Sequence, residues 1–158
     1  MTDTILVRAP VGVVYRTLTD LDGWPRWLAG CRSVRVPADS ARGGVGADGA
    51  PGAVSDADEH LLVLPLGRQR WRLGVAAHAW RHDHGVRWDV RGDVALAAEW
   101  WLEERREGTV VHHVVHGTPV GRRAERRVRR HRRAVMLALQ AMKDHLELAV
   151  AVAAGRVP

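Results

Sequence analysis

Two hydrophobic periods divide the chain. Over residues 57–117 apolar side chains recur at every second position, the spacing of strands with one buried face. From about Val120 to Ala153 they recur at three, four or seven, the spacing of one long helix. Parity assigns faces in the strand region. Trp71, Leu73 and Val75 oppose Arg70 and Arg72; Val86, Trp88 and Val90 oppose Arg87, Asp89 and Arg91. Trp100 and Leu102 face in if Glu99 and Glu103 face out, and Thr109, Val111, His113 and Val115 share a face. Breaks at Gly67, His82–Gly85, Arg91–Asp93 and Glu107–Gly108 mark the turns. On the helix, Ala124, Val128, Val135, Leu139, Met142, Leu146 and Ala149 make one apolar stripe.

The first forty residues carry shorter signals. Thr4–Val7 reads as a strand ending at Ala9–Pro10, and Pro10 opens a helix through Val13, Val14 and Leu18. A second short helix follows over residues 22–28, with Asp22 as its expected N-cap and Gly30 as its stop. Ser33–Val36 alternates as a strand. Residues 38–56 hold no large apolar side chain and read as a long loop or a ragged hairpin. The sequence predicts α+β architecture in one domain over 1–158.

The order of elements and two local patterns carry a resemblance. Val7–Arg8–Ala9–Pro10 leads into Val13–Val14–Tyr15, then Leu18–Thr19–Asp20–Leu21–Asp22–Gly23–Trp24–Pro25–Arg26–Trp27; Glu99–Trp100–Trp101–Leu102 precedes Gly108–Thr109–Val110–Val111. The chain resembles the START-like, helix-grip superfamily of polyketide cyclases/dehydrases and lipid-transport proteins, which includes the Bet v 1 allergens, in its actinobacterial form. The resemblance implies a curved antiparallel sheet wrapped around the long C-terminal helix, two short helices after strand 1, and a cavity between sheet and helix. Trp71, Trp88, Trp100, Val111, Leu139 and Met142 are the expected ligand-lining residues; the alternative is that such side chains simply fill the core.

Composition sharpens this picture at three points. Seven Trp stand beside one Tyr and no Phe, and a Trp-rich interior with N–H donors suits a pocket better than a uniformly dry core. One cysteine, Cys31, forms no internal disulfide, and the chain opens without an apolar leader; both fit a cytoplasmic protein. No apolar run approaches the ~20 residues of a membrane span. Finally, the charge is lopsided: residues 119–158 carry a balance of +7 and the rest −1. Eight arginines fall within Arg122–Arg133. A solvated helix face explains them best, then docking to an acidic partner such as an acyl carrier protein, and last nucleic acid, for which no stacking aromatic is interleaved.

Candidate chemistry is sparse. The resemblance to aromatase/cyclases implies folding and aldol closure of a poly-β-ketone, with an Arg and hydroxyl or His groups aimed inward. Parity sends Arg70 and Arg72 outward here, unless a bulge at Gly74 turns His78 or Trp80 in. His113 is the catalytic candidate: an imidazole in an apolar setting has its pKa lowered, as a general base near neutral pH requires, or else it is a hydrogen-bonded core residue. Tyr15, the one phenol, fits helix–sheet packing as well as a pocket. No metal or cofactor is expected. His112 and His116 lie ~13 Å apart along a strand at ~3.3 Å per residue, and His82 and His84 sit at a turn. The expected activity is binding of a hydrophobic polyketide-like or polycyclic molecule, as a cyclase/aromatase-like protein of secondary metabolism or as a non-catalytic carrier or sequestering protein.

Overall fold

A computed structural model describes residues 2–37, 59–66, 68–116 and 122–155. Strand β1 (Thr2–Val7) leads into helix α1 (Val11–Thr19), a 3-10 turn (Leu21–Gly23) and helix α2 (Trp24–Trp27). Strands β2 (Arg32–Val36), β3 (Glu59–Leu66), β4 (Gln69–Arg81), β5 (Gly85–Gly92), β6 (Leu96–Arg105) and β7 (Gly108–His116) follow, and helix α3 (Arg122–Ala153) ends the chain. The seven strands form one antiparallel sheet in the order β1-β7-β6-β5-β4-β3-β2. Helix α3 touches β1 near one edge and β3 near the other, so the sheet curves around it. This is the helix-grip architecture that the sequence predicts.

The alternation read from the sequence sets which face of each strand meets the helix. Trp71, Leu73, Val75, Val86, Trp88, Val90, Trp100, Leu102, Thr109, Val111, His113 and Val115 are all buried. On α3 the buried side is His131, Ala134, Val135, Ala138, Leu139, Met142 and Leu146. Two expectations for the helix change. Ala149 is exposed, because the sheet ends before the last turns; His131, placed among arginines in the sequence, is buried.

Two local expectations are also corrected. The cap of the 3-10 turn is Asp20, whose carboxylate accepts from the Gly23 N–H at 3.1 Å; Asp22 instead turns outward to Arg35 at 2.8 Å and His60 at 3.4 Å. No bulge forms at Gly74, which pairs regularly with Leu61 and Arg91. The irregularity falls between Ala79 and Arg81, just before the turn in which Asp83 adopts φ +60°, and His78 stays outside beside Asp89 at 3.3 Å. The loop expected over 38–56 lies outside the described residues.

Helix α3 is tied to β1 by polar contacts. Arg132 reaches the buried Asp3 carboxylate with both Nε and Nη2 at 2.6 Å, and Lys143 donates to the Leu6 carbonyl at 2.9 Å. Glu147, paired with Lys143, accepts from the Arg8 N–H at 2.9 Å. At the Val7–Thr109 end of the β1–β7 ladder the backbones close tightly. Gly108 has φ +143°, and a Cβ there would strike the Val7 carbonyl and lie 2.8 Å from the Arg8 Cα. Only glycine fits without moving β1.

Candidate functional site

The interior between sheet and helix contains a column of aromatic rings. Trp88 on β5, Trp100 on β6 and His113 on β7 face the same way by parity, and register brings them together. Trp100 is the direct cross-strand partner of His113, while Trp88 stands diagonally from Trp100, two residues beyond its partner Val86. Their ring centroids are 4.9 Å apart for Trp88–Trp100 and 4.4 Å for Trp100–His113. Trp24, from the short helix after β1, continues the column at 5.4 Å from Trp88 and touches Trp27 at 5.0 Å. At the far end His131 of α3 lies 5.6 Å from His113. Each such pair contributes about 0.5–1.5 kcal/mol beyond the area it buries.

The column is polar where its partners are not. The Trp24 indole donates to the Leu18 carbonyl at 3.2 Å. The indole N–H groups of Trp71, Trp88 and Trp100, and both ring nitrogens of His113 and of His131, are buried without a protein hydrogen-bond partner among the described residues. A buried donor or acceptor left unpaired costs about 1–3 kcal/mol, a penalty that Phe or Leu at the same positions would not incur. Burial pushes the His113 pKa down to about 3, with the facing charge of His131 adding to the effect, and burial pushes His131 down to about 4. Both are therefore neutral at pH 7. The direction for His113 is the one expected from its sequence setting, but a pKa about 3 makes it a weaker base than one poised near neutrality.

The other sequence candidates fall around this column. Val111 precedes His113 on the same face of β7, and Leu139 and Met142 continue the buried side of α3; all three are buried. Trp71 is buried but stands apart, opposite Leu64 near the β3–β4 hairpin, and joins no ring contact among the described residues. Tyr15 packs against the β4–β5 turn with its ring 5.3 Å from His82; burial, then the charge of Asp83, raises its pKa. Burial likewise pushes the Cys31 thiol up to about 11. No Arg or Lys is buried among the described residues. His112 contacts Thr4 and Glu103, and His116 contacts Glu99, on the outer face.

Sequence reasoning missed His131 and the ring role of Trp24. A signal existed for the first: His131 lies three residues after Val128 and four before Val135, on the apolar stripe itself.

Among the depressions that open on the surface of the described residues, which include one of about 460 Å³ beside Arg16 and Thr19, two border the sheet. One of about 310 Å³ lies between Arg8–Val11 and the β6–β7 turn. The other, about 240 Å³, lies between the β3–β4 hairpin and α3 and is lined by Leu66, Gln69, Arg130, Arg133 and Leu137. Arg130 and Arg133 bracket His131, so this second depression lies over the helical turn that supplies the end of the column.

Residues 7–135 match the sequence pattern of the polyketide cyclase/dehydrase and lipid transport family. The chain belongs to that family. Its fold is shared with solved structures of low identity. The di-domain ARO/CYC StfQ from the steffimycin biosynthetic pathway is 14% identical, with a TM-score of 0.64 over 96% of this chain, which spans 52% of StfQ. TTHA0849 from Thermus thermophilus is 17% identical, with a TM-score of 0.62 over 94% of this chain and 97% of its own. A START superfamily protein from Mycobacterium smegmatis is 11% identical, with a TM-score of 0.61 over 94% and 97%. No curated protein sequence matches the chain. Among the described residues no helix is long and apolar enough to cross a membrane.

Proposed function

We propose that this family member binds a hydrophobic, polyketide-like or polycyclic molecule between the sheet and α3, against Trp88, Trp100, Val111, His113, Leu139 and Met142, with Trp71 nearer the hairpin. One observation carries the reading: the indole N–H groups of Trp88 and Trp100 and the imidazoles of His113 and His131 stand buried and unpaired in one ring column between sheet and helix, with the Trp71 N–H likewise unpaired nearer the hairpin. A planar ligand stacks on such rings and satisfies their nitrogens. The depression between the β3–β4 hairpin and α3 is the proposed entrance.

The activity that fits the family is cyclase/aromatase-like, in secondary metabolism: the walls hold a poly-β-ketone folded, and His113 moves a proton during aldol closure. An acidic carrier protein bringing the chain would dock on the exposed arginines of α3. A second reading, a non-catalytic carrier or sequestering protein, is favoured by a specific observation. The interior lacks a buried cation among the described residues, and an enolate has nothing there of opposite charge to stabilise it.

The test of binding is titration with a polycyclic aromatic such as anthraquinone, followed by tryptophan emission. Saturable quenching supports the reading, and an unchanged spectrum across the ligand's solubility range refutes it. The test between the two activities is the product distribution of a poly-β-ketone substrate. His113→Ala abolishes turnover even at saturating substrate if His113 acts on a proton; a wild-type protein that binds the chain but leaves its products unaltered is a carrier.

A further inference from the structure

We infer that His113 and His131 form one polar recognition element, a pair of neutral imidazoles that takes a single hydroxyl or enol oxygen of the ligand, and that the site selects hydroxylated aromatics over hydrocarbons and carboxylates. The inference rests on the reading of the interior as a ligand site and adds the part of the ligand that is recognised.

The geometry carries it. His113 stands on β7 and His131 on α3, so the pair bridges the sheet and the helix. The two rings face each other tilted at 48° with centroids 5.6 Å apart, about twice the ~2.8 Å length of one hydrogen bond. Both side chains are at most 1% exposed, and all four ring nitrogens are without a protein partner among the described residues. Neighbouring groups do not account for them. Trp100 stacks on His113 and offers a ring rather than an acceptor, and the buried Thr109 hydroxyl already donates to the Ala9 carbonyl at 2.8 Å.

The chemistry of the pair defines the class of ligand. A neutral imidazole has one N–H donor and one acceptor nitrogen. Two of them facing one oxygen offer it a donor from one ring and an acceptor from the other, which is what a phenol or enol O–H needs to be fully satisfied. A carboxylate accepts but does not donate, and it would bring a buried negative charge to a site with no buried Arg or Lys among the described residues. A hydrocarbon leaves the four nitrogens as they are. Metal ligation is the other chemistry open to two histidines, but no His, Cys, Asp or Glu completes a set of three with them among the described residues.

Three probes of one shape separate the possibilities: 2-naphthol, 2-methylnaphthalene and 2-naphthoate, each titrated at pH 7.5 by calorimetry and tryptophan emission. The expected result is 2-naphthol binding about tenfold or more tighter than 2-methylnaphthalene, because a site built for a hydroxyl rejects the analogue lacking it, with 2-naphthoate weakest. In His131→Phe and His113→Phe the ratio of naphthol to hydrocarbon affinity should fall toward one, whatever the absolute affinities; His131→Gln, which keeps a donor and an acceptor, should retain most of the ratio. Equal affinity for naphthol and methylnaphthalene in the wild-type protein overturns the inference and leaves the apolar site standing. Preference for the naphthoate overturns it as well. No binding of any of the three overturns both readings. The wild-type series decides even if a Phe variant fails to fold.

Discussion

At the scale of single residues, the two fully buried histidines of the ring column, His113 and His131, make stability depend on pH in a definite direction. Their folded pKa values, about 3 for His113 and about 4 for His131, lie below the ordinary value of 6.5. Between those limits the unfolded chain binds more protons than the folded one, so stability is lost as pH falls below about 6.5 and is steady above it, at up to about 1.4 kcal/mol per pH unit for each imidazole. Thermal unfolding from pH 8 to pH 4 should give a flat midpoint that drops on the acid side, and His131→Phe should blunt the drop. An acid limb as steep in the variant as in the wild type would mean that other groups govern it. Trp88, Trp100 and His113 were legible in the sequence because period 2 assigns their face without any knowledge of neighbours. His131 was obscured by its own surroundings: six arginines within five residues either side outweigh one position of an amphipathic period. The exchange of Asp22 for Asp20 as the cap has a similar cause, since two adjacent-turn carboxylates compete and only Asp20 meets the Gly23 N–H.

At the scale of elements, helix α3 presents two kinds of arginine. Arg126, Arg130 and Arg133 are exposed and have no ion-pair partner among the described residues, whereas Arg132 closes on the buried carboxylate of Asp3. Replacing the first three with Gln should leave the unfolding midpoint unchanged or raise it, because like charges three and four apart on a helix repel. Asp3→Ala, which removes the charge-assisted contact tying β1 to the exposed Arg132, should cost about 1–3 kcal/mol by chemical denaturation. The two results reversed would show the exposed run to be a structural face. The same triple variant tests docking: if an acidic carrier protein uses this face, its affinity should fall in the variant, and the wild-type complex should weaken steeply with salt. Gly108→Ala is expected to be more damaging than any surface change, since β1 must shift to admit the methyl group at a φ of +143°. The strands and the long helix were readable from periodicity alone. The position of the β4 irregularity was not, because it depends on how β5 turns back at Asp83 rather than on any residue of β4.

At the scale of the whole molecule, the family fold and the interior column account for one another. A single helix carrying the small Ala134 and Ala138 on its buried side cannot by itself fill a curved sheet, and the large rings of Trp88 and Trp100 belong to the same buried cluster as those alanines. The grip also imposes an order on synthesis. Thr2 pairs with Val114, and Asp3 waits for Arg132, so the strand made first finds its partners only after roughly 110 further residues have left the ribosome, some 5–20 s at about 5–20 residues per second. During that interval β2 to β6 can pair with one another as each emerges, while the apolar face bearing Trp88 and Trp100 has no helix to cover it. The nascent protein is thus a sheet with an open palm, and it closes only when its last segment arrives.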